Sequence, residues 1–247
     1  MTDIPWCDDT INPIFGCLNG CSWCYAKRMA PRVARLMARG NPEKLCQACV
    51  DFTPHFHPER LALLGKGKPR IVFADSMSDW WSPGVEQDWR TRVFRGMDGM
   101  GDPVPAHQFV LLTKRPERIT DEDIHWLGRN IWLGVSITSG ADWWRWEALA
   151  SLPGHIHKLV SVEPLLSFGI GAELLKEQVV PEWIIVGPQS GPGAVIPDAT
   201  WQDMIRFAAC DEWNIPLFEK FGLPLQPPVR QMPAELKAVF QKGGLDI

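Results

Sequence analysis

The fold turns on residues 108–166. There QFVLL (Gln108–Leu112) runs into TKRP, NIWLGV (Asn130–Val135) into SITSG, and HKLVSV (His157–Val162) into EPLL. Each run is apolar without alternation and stops at polar, Gly or Pro residues, the pattern of strands covered on both faces. The same grammar extends outward. RIVF (Arg70–Phe73) precedes ADSMSDWW, EWIIV (Glu182–Val186) precedes GPQSGPG, and IPLF (Ile215–Phe218) precedes EKFG. A short run, Asn12–Phe15, supplies a first strand. Between them lie helix-capable segments: Pro83–Met97, with Ser82 as N-cap and Pro at the first position, then Ala141–Ser151 and Ala199–Asn214. Seven strands at about 30 residues per strand–helix unit predict an α/β chain with a parallel sheet, either doubly wound or a full or partial (β/α) TIM-like barrel. Residues 1–247 read as one domain, with an insertion at about 40–68 and a C-terminal extension at about 222–247, helix-capable over Pro233–Gln241. In both architectures ligands bind at the carboxyl ends of the strands, where this chain places its polar clusters.

Composition narrows the function classes. The 247 residues carry a net charge of −4, which excludes a strongly basic nucleic-acid binder but not a local basic patch. Gly (21) and Pro (22) together stay below the roughly 25–30% that marks low complexity. No apolar run reaches the roughly 18–20 residues of a membrane span, and the opening MTDIPWCDDT lacks a signal-peptide core, so a cytoplasmic protein without membrane contact is expected. Thirteen Trp beside one Tyr predict core filling with a few ring faces left for stacking on a base or nucleoside. Of seven cysteines, five fall in two tight clusters, which in a large cytosolic chain points to metal or redox chemistry rather than disulfides.

The first cluster is Cys17-Leu-Asn-Gly-Cys21-Ser-Trp-Cys24. Gly16, Asn19 and Gly20 allow the backbone to curl around a compact object. Three thiolates suit an iron–sulfur cluster with one iron left open. A closed zinc site completed by Cys7, or three structural thiols, also fits the spacing.

CLNGCSWC resembles the C-x₃-C-x-aromatic-C motif of the radical S-adenosylmethionine superfamily, with Trp23 in the aromatic slot. INPxxGC at Ile11–Cys17, CYAxRMA at Cys24–Ala30, FHPERL at Phe56–Leu61, SMSDWW at Ser76–Trp81, LLTKRPER at Leu111–Arg118, LGVSI at Leu133–Ile137, SVEPLL at Ser161–Leu166 and WIIVGPQSGPGA at Trp183–Ala194 are similar to a phage- and prophage-associated family of radical-SAM-like proteins. The likeness runs from about Asn12 to Gly222. It implies a partial (β/α) barrel of that type, a 4Fe–4S cluster on Cys17, Cys21 and Cys24, and S-adenosyl-L-methionine chelating the open iron. One electron from a flavodoxin- or ferredoxin-like reductant protein would then cleave the sulfonium to a 5′-deoxyadenosyl radical that abstracts hydrogen from a substrate. It implies fold and cofactor rather than a particular reaction.

The strand ends supply the remaining candidates. Ser76 and Ser78 lie in the loop that superfamily members use for the methionine amino group; the usual Gly-Gly-Glu is missing here, and N-capping is the other reading. Asp79 in the same loop, Arg115 after the third strand, Gln189 and Ser190 in the Gly-rich turn, and Lys220 after the last strand are candidate substrate contacts. Lys114 and Arg115 are adjacent cations able to hold a carboxylate or phosphate. Ser136, with Thr138, suits ribose hydroxyls. Glu163 is a carboxylate in an apolar run, so it needs a partner, with Lys114 or the sulfonium ligand as candidates. Glu219 and Lys220 are expected to close the barrel mouth as a pair.

Cys46-Gln-Ala-Cys49 with His55 and His57 is a plausible Cys₂His₂ zinc set, although His-x-His is tight for a finger; free thiols in an insertion are the plainer reading. Lys27, Arg28, Arg32, Arg35 and Arg39 suggest a phosphate-binding face or a solvated helix. The expected function is a radical S-adenosylmethionine enzyme acting on a nucleic acid, a nucleotide or a protein, with nucleic-acid modification or repair favoured and a partner protein a further candidate. The alternative is an iron–sulfur or zinc binding or regulatory module without radical catalysis. A zinc-dependent barrel hydrolase is disfavoured because no His sits in a strand-end cluster.

Overall fold

The computed structural model describes residues 2–98 and 107–241. Residues 242–247 of the expected C-terminal extension lie outside the described residues. The strands are β1 (Asp9–Thr10), β2 (Ile14–Phe15), β3 (His55–Phe56), β4 (Ile71–Phe73), β5 (Gln108–Thr113), β6 (Ile131–Ile137), β7 (His157–Val162), β8 (Trp183–Val186) and β9 (Leu217–Glu219). The helices are α1 (Tyr25–Ala38), α2 (Gln47–Asp51), α3 (Gln87–Met97), α4 (Asp121–Trp126), α5 (Trp144–Ala150), α6 (Ile170–Leu174), α7 (Ala199–Arg206) and α8 (Ala234–Lys237). Seven strands form one parallel sheet in the order β1-β4-β5-β6-β7-β8-β9, curled into a half-barrel. In its centre Leu133 lies opposite Leu111 on one side and Lys158 on the other.

Strand periodicity sorts the sheet into two faces. Val72, Phe109, Leu111, Leu133, Val135, Val160, Ile184 and Leu217 pack on Phe94, Trp146, Leu149 and Ile205 of the surrounding helices. The alternate residues Phe73, Val110, Trp132, Leu159, Ile185 and Phe218 face inward, joined by Trp6, Trp183, Met232 and Leu236. The aromatic filling sits toward the amino ends of the strands, and α8 adds Leu236 to it. Continuing the same inward alternation brings up Lys114, Ser136, Ser161, Glu163, Gly187 and Lys220 at the carboxyl ends. Gly134 is required on this concave face: a Cβ there would lie 2.6 Å from Leu112 Cδ2 and 2.7 Å from Leu159 Cγ.

Two boundaries differ from expectation. Asn12–Phe15 does not open the parallel sheet. Asp9, not Asn12, begins it, opposite Val72. Pro13 has no N–H for a ladder, and beyond it Ile14–Phe15 pairs antiparallel with His55–Phe56. The helix expected from Pro83 starts at Gln87, because Ser82 is engaged elsewhere: its Oγ accepts from the Leu18 N–H at 2.7 Å. The 40–68 stretch is structured. It carries α2 and β3 and shares a small apolar cluster with α1, built on Phe15, Ala30, Cys49, Phe52 and Met77. Among the described residues no helix is long and apolar enough to cross a membrane.

Candidate functional site

The three-cysteine loop lies between β2 and α1 and is fastened from three directions. The Gly16 N–H donates to Met77 O at 3.0 Å and the Cys17 N–H to Phe52 O at 3.2 Å. Gly16 has φ +88°, and an added Cβ would stand 2.3 Å from Thr53 O, so only glycine permits this approach. Cys24 caps α1: its sulfur accepts from the Lys27 N–H at 3.3 Å, at the end of a helix where the backbone favours negative charge. Cys17, Cys21 and Cys24 are all free and half-buried. Burial pushes the Cys17 thiol up, and Asp79 and Cys24 add to that. The three sulfurs do not converge as ligands of a single ion; Cys17 and Cys24 lie against the Phe15–Met77 apolar cluster.

Asn19 ties this loop to the barrel. Its Nδ2 donates to Asp79 Oδ2 at 2.7 Å and its Oδ1 accepts from Arg115 Nε at 3.3 Å. Asp79 is buried and also accepts from Thr113 Oγ1 (2.8 Å), the Lys114 N–H (2.9 Å) and the Trp81 N–H (3.1 Å). Its carboxylate is therefore filled by protein donors. Ser76 exchanges hydrogen bonds with Asn12, and its carbonyl accepts from the Tyr25 hydroxyl at 2.6 Å. Ser78 Oγ is buried and has no hydrogen-bond partner among the described residues. Beside them Asp75, fully buried and accepting from the Leu112 N–H, has its carboxyl pushed well up by burial and then by Asp79.

A cleft of about 330 Å³ opens at the carboxyl ends of β5 and β6, lined by Asn19, Cys21, Trp23, Lys114, Thr138 and Arg145, together with Gly20, Ser22 and Asp142. That is the lower range of small-molecule sites. The Lys114 ammonium makes no hydrogen bond or ion pair among the described residues, whereas Arg145 pairs with Asp142 at 2.9 Å and donates to Ser136 O at 2.9 Å. Thr138 Oγ1 donates to Asp142 Oδ2 at 2.7 Å.

A second group sits deeper along the mouth. Glu163 pairs with Lys220 and accepts from Ser161 Oγ at 3.2 Å. Two expectations are corrected here. The partner of Glu163 is Lys220 rather than Lys114: Gly187, between them after β8, leaves room for the pair, since a Cβ there would lie 2.5 Å from Glu163 Oε1 and 3.0 Å from Lys220 Cδ. Glu219 points outward instead, where Arg206 Nη2 meets its Oε2 at 2.6 Å and Gln202 Nε2 donates at 2.8 Å, so no Glu219–Lys220 pair forms. In the Gly-rich turn Gln189 Oε1 accepts from the Val195 N–H and Ser190 O accepts from Arg28 Nη2 at 2.7 Å, which joins α1 to the far side of the mouth.

Sequence reasoning did not single out Asn12, Asp75, Asp142 or Arg145. Asn12 and Asp75 stood inside quoted motifs as spacers. Asp142 and Arg145 stood in a helix-capable segment, where charges at i and i+3 read as surface.

Cys46, Cys49, His55 and His57 also converge, with every ligand atom within 4.8 Å of the others.

The chain is thus an α/β protein whose parallel half-barrel carries a cysteine loop and an open cleft at its carboxyl mouth. The family follows from the sequence match. The chain belongs to the family described as "Protein of unknown function (DUF5131)", whose model covers residues 1–228. No curated protein and no solved structure matches it.

Proposed function

We propose that this protein is a radical S-adenosylmethionine enzyme on a half-barrel of the corresponding type, with nucleic acid as its substrate class. The observation that carries the reading is the cleft shared by Cys21, Trp23 and the strand-end groups Lys114, Thr138 and Arg145. The donor set fits the cofactor. Three free, half-buried thiols on a loop with two positive-φ glycines are the usual ligands of an iron–sulfur cluster, and such ligands sit on different irons rather than crowding one ion. Cys17, Cys21 and Cys24 would hold a 4Fe–4S cluster, leaving one iron for S-adenosyl-L-methionine. Bound together, and given one electron by a flavodoxin- or ferredoxin-like reductant protein, the two would supply cleavage of a carbon–sulfur bond and, through it, hydrogen abstraction.

The chain's own residues orient and shield. Asn19 and Asp79 hold the loop against β5. Trp23 offers a ring face, and Lys114 a cation for a carboxylate. Thr138 offers a hydroxyl at the cleft wall. Lys27, Arg28, Arg32, Arg35 and Arg39 are exposed on and just beyond α1, a cationic face suited to a phosphate backbone. An iron–sulfur module without radical chemistry is the second reading. It is favoured by the engagement of Ser76 and Asp79 in internal hydrogen bonds, which leaves the neutral Ser78 hydroxyl, rather than a free carboxylate, to meet the methionine ammonium from that loop.

Low-temperature EPR of anaerobic, dithionite-reduced protein separates them. A four-iron signal that changes on adding S-adenosylmethionine supports the enzyme. A signal indifferent to it supports the module. A chain that takes up no iron removes both.

A further inference from the structure

We propose that Cys46, Cys49, His55 and His57 bind one zinc ion in a closed tetrahedral site, and that this ion braces the segment behind the three-cysteine loop. The inference is independent of the radical reading, because it uses neither Cys17, Cys21 nor Cys24.

The argument rests on which ring nitrogens carry lone pairs. His55 Nδ1 lies 2.7 Å from Thr53 O, which only accepts, so Nδ1 carries the proton. His57 Nδ1 lies 2.9 Å from Glu59 Oε1, which fixes the same tautomer. Each neutral ring therefore presents a bare Nε2. The two Nε2 atoms face each other at 2.9 Å, and Cys49 Sγ stands 3.2 Å from both. Cys46 Sγ is 3.4 Å from His55 Nε2. Two lone pairs aimed at one another repel unless a cation lies between them. With Zn–S near 2.3 Å and Zn–N near 2.0–2.1 Å, a tetrahedron places its ligand atoms about 3.3–3.8 Å apart. Small outward shifts reach that geometry.

Metal identity follows from the donor set. Two sulfurs and two nitrogens around a single centre suit zinc. A two-iron centre with the same ligands would hold the sulfur pair on one iron and the nitrogen pair on the other, whereas here Cys49 is equally close to both imidazoles. Four protein ligands leave no open position, so the role is structural. The outer partners are in place: a carboxylate on His57 and a carbonyl on His55 orient the rings as ligating imidazoles usually are. A cleft of about 320 Å³ lined by Cys46, Cys49, His57 and Glu59 provides the way in. Binding releases the thiol protons to solvent.

The brace acts over a short path. His55 pairs with Phe15 in the β2–β3 ladder, two positions before Cys17, and Phe52 O holds the Cys17 N–H. Cys46 and Cys49 pack on the same apolar cluster as Cys17 and Cys24.

The test is metal analysis of the full chain purified anaerobically, beside a variant with Cys17, Cys21 and Cys24 all changed to Ala. The expected result is one zinc per chain in both, and loss of zinc in His57→Ala and Cys46→Ser. Because these last variants are prone to misfold, the wild-type chain stripped by chelator is also titrated with Co²⁺. Tetrahedral d–d absorption with thiolate charge transfer, abolished by one equivalent of Zn²⁺, is expected. X-ray absorption of the zinc form should give two sulfur and two nitrogen neighbours. Zinc that disappears with Cys17, Cys21 and Cys24, an octahedral cobalt spectrum, or iron in place of zinc at the remaining set would each overturn the proposal. A chain with zinc but no iron would sink the radical reading and leave this one standing.

Discussion

Asn19 Nδ2 donates to Asp79 Oδ2 at 2.7 Å across sixty residues of chain, and this bond fastens the cysteine loop to the barrel mouth. Asp79 also collects Thr113 Oγ1 and the Lys114 N–H, so one buried carboxylate sets the loop, the end of β5 and the cleft wall together. Asp79→Ala leaves these donors unpaired. A loss of about 2–4 kcal/mol in urea unfolding with unchanged m is expected, together with reduced iron loading. Wild-type iron content in a destabilised variant would refute the link to the loop.

Gly16→Ala should be more disruptive than its one methyl suggests. The new Cβ would meet Thr53 O at 2.3 Å, and φ is +88°. Left-handed strain and overpacking together predict a cost of about 3 kcal/mol. Thermal unfolding checks it; a shift of only a degree or two would show that the segment yields.

Arg90 and Asp123 form a buried pair at 2.8 Å, with Trp81 Nε1 on the second carboxylate oxygen at 2.9 Å. Burial pulls the Asp123 carboxyl upward, but hydrogen bonds from Arg90, Thr120 and Trp81 outweigh it and hold it below the ordinary carboxylate range. Its contribution to stability is present above that range and is lost as pH falls through the lowered value. Arg90→Met should cost about 3–5 kcal/mol at neutral pH, and the gap from wild type should narrow on acidification. Denaturant curves at several pH values decide; a pH-independent gap would contradict it.

Glu59→Gln keeps the size of the His57 partner and removes its charge. Zinc affinity at the Cys46–His57 set should drop about 10–100-fold, read by competition with a chromophoric chelator, while folding of the zinc-saturated chain is unchanged.

Arg32→Ala and Arg35→Ala test the cationic face of α1. Each should weaken single- and double-stranded nucleic-acid binding at low salt and lower the slope of log affinity against log salt by about one. Equal binding by wild type and double variant would remove nucleic acid as the substrate class.

Much of the fold was legible because burial on both faces writes long apolar runs. β7 lies where HKLVSV predicts it, and Trp183–Val186 and Gln108–Thr113 within a residue. The first strand was not legible. Asp9–Thr10 is a two-residue polar edge strand, and Ile14–Phe15 carries the stronger strand signal while serving a different sheet. At the site, the cysteine loop announced itself through sulfur spacing. The Glu163–Lys220 pair did not, because its members follow β7 and β9, far apart in sequence, and only the bare Gly187 after β8 lets them meet. Cys46, Cys49, His55 and His57 were visible as a set, yet only the tautomers fixed by Thr53 and Glu59 show how their lone pairs are aimed.

The dependence of the cysteine loop on Asp79 and Arg115 has a consequence for biosynthesis. Three thiols leave the ribosome early, but Arg115, which reaches Asn19 across ninety-six residues, is translated long after them. Cys46 and His55, nine residues apart, need almost no further chain to meet. The nascent protein can therefore close its Cys–His pocket while the first three sulfurs still lack their anchors. Assembly during synthesis is therefore expected to run from the insertion inward, with the three early thiols open to oxidation until Asp79 and Arg115 have followed them.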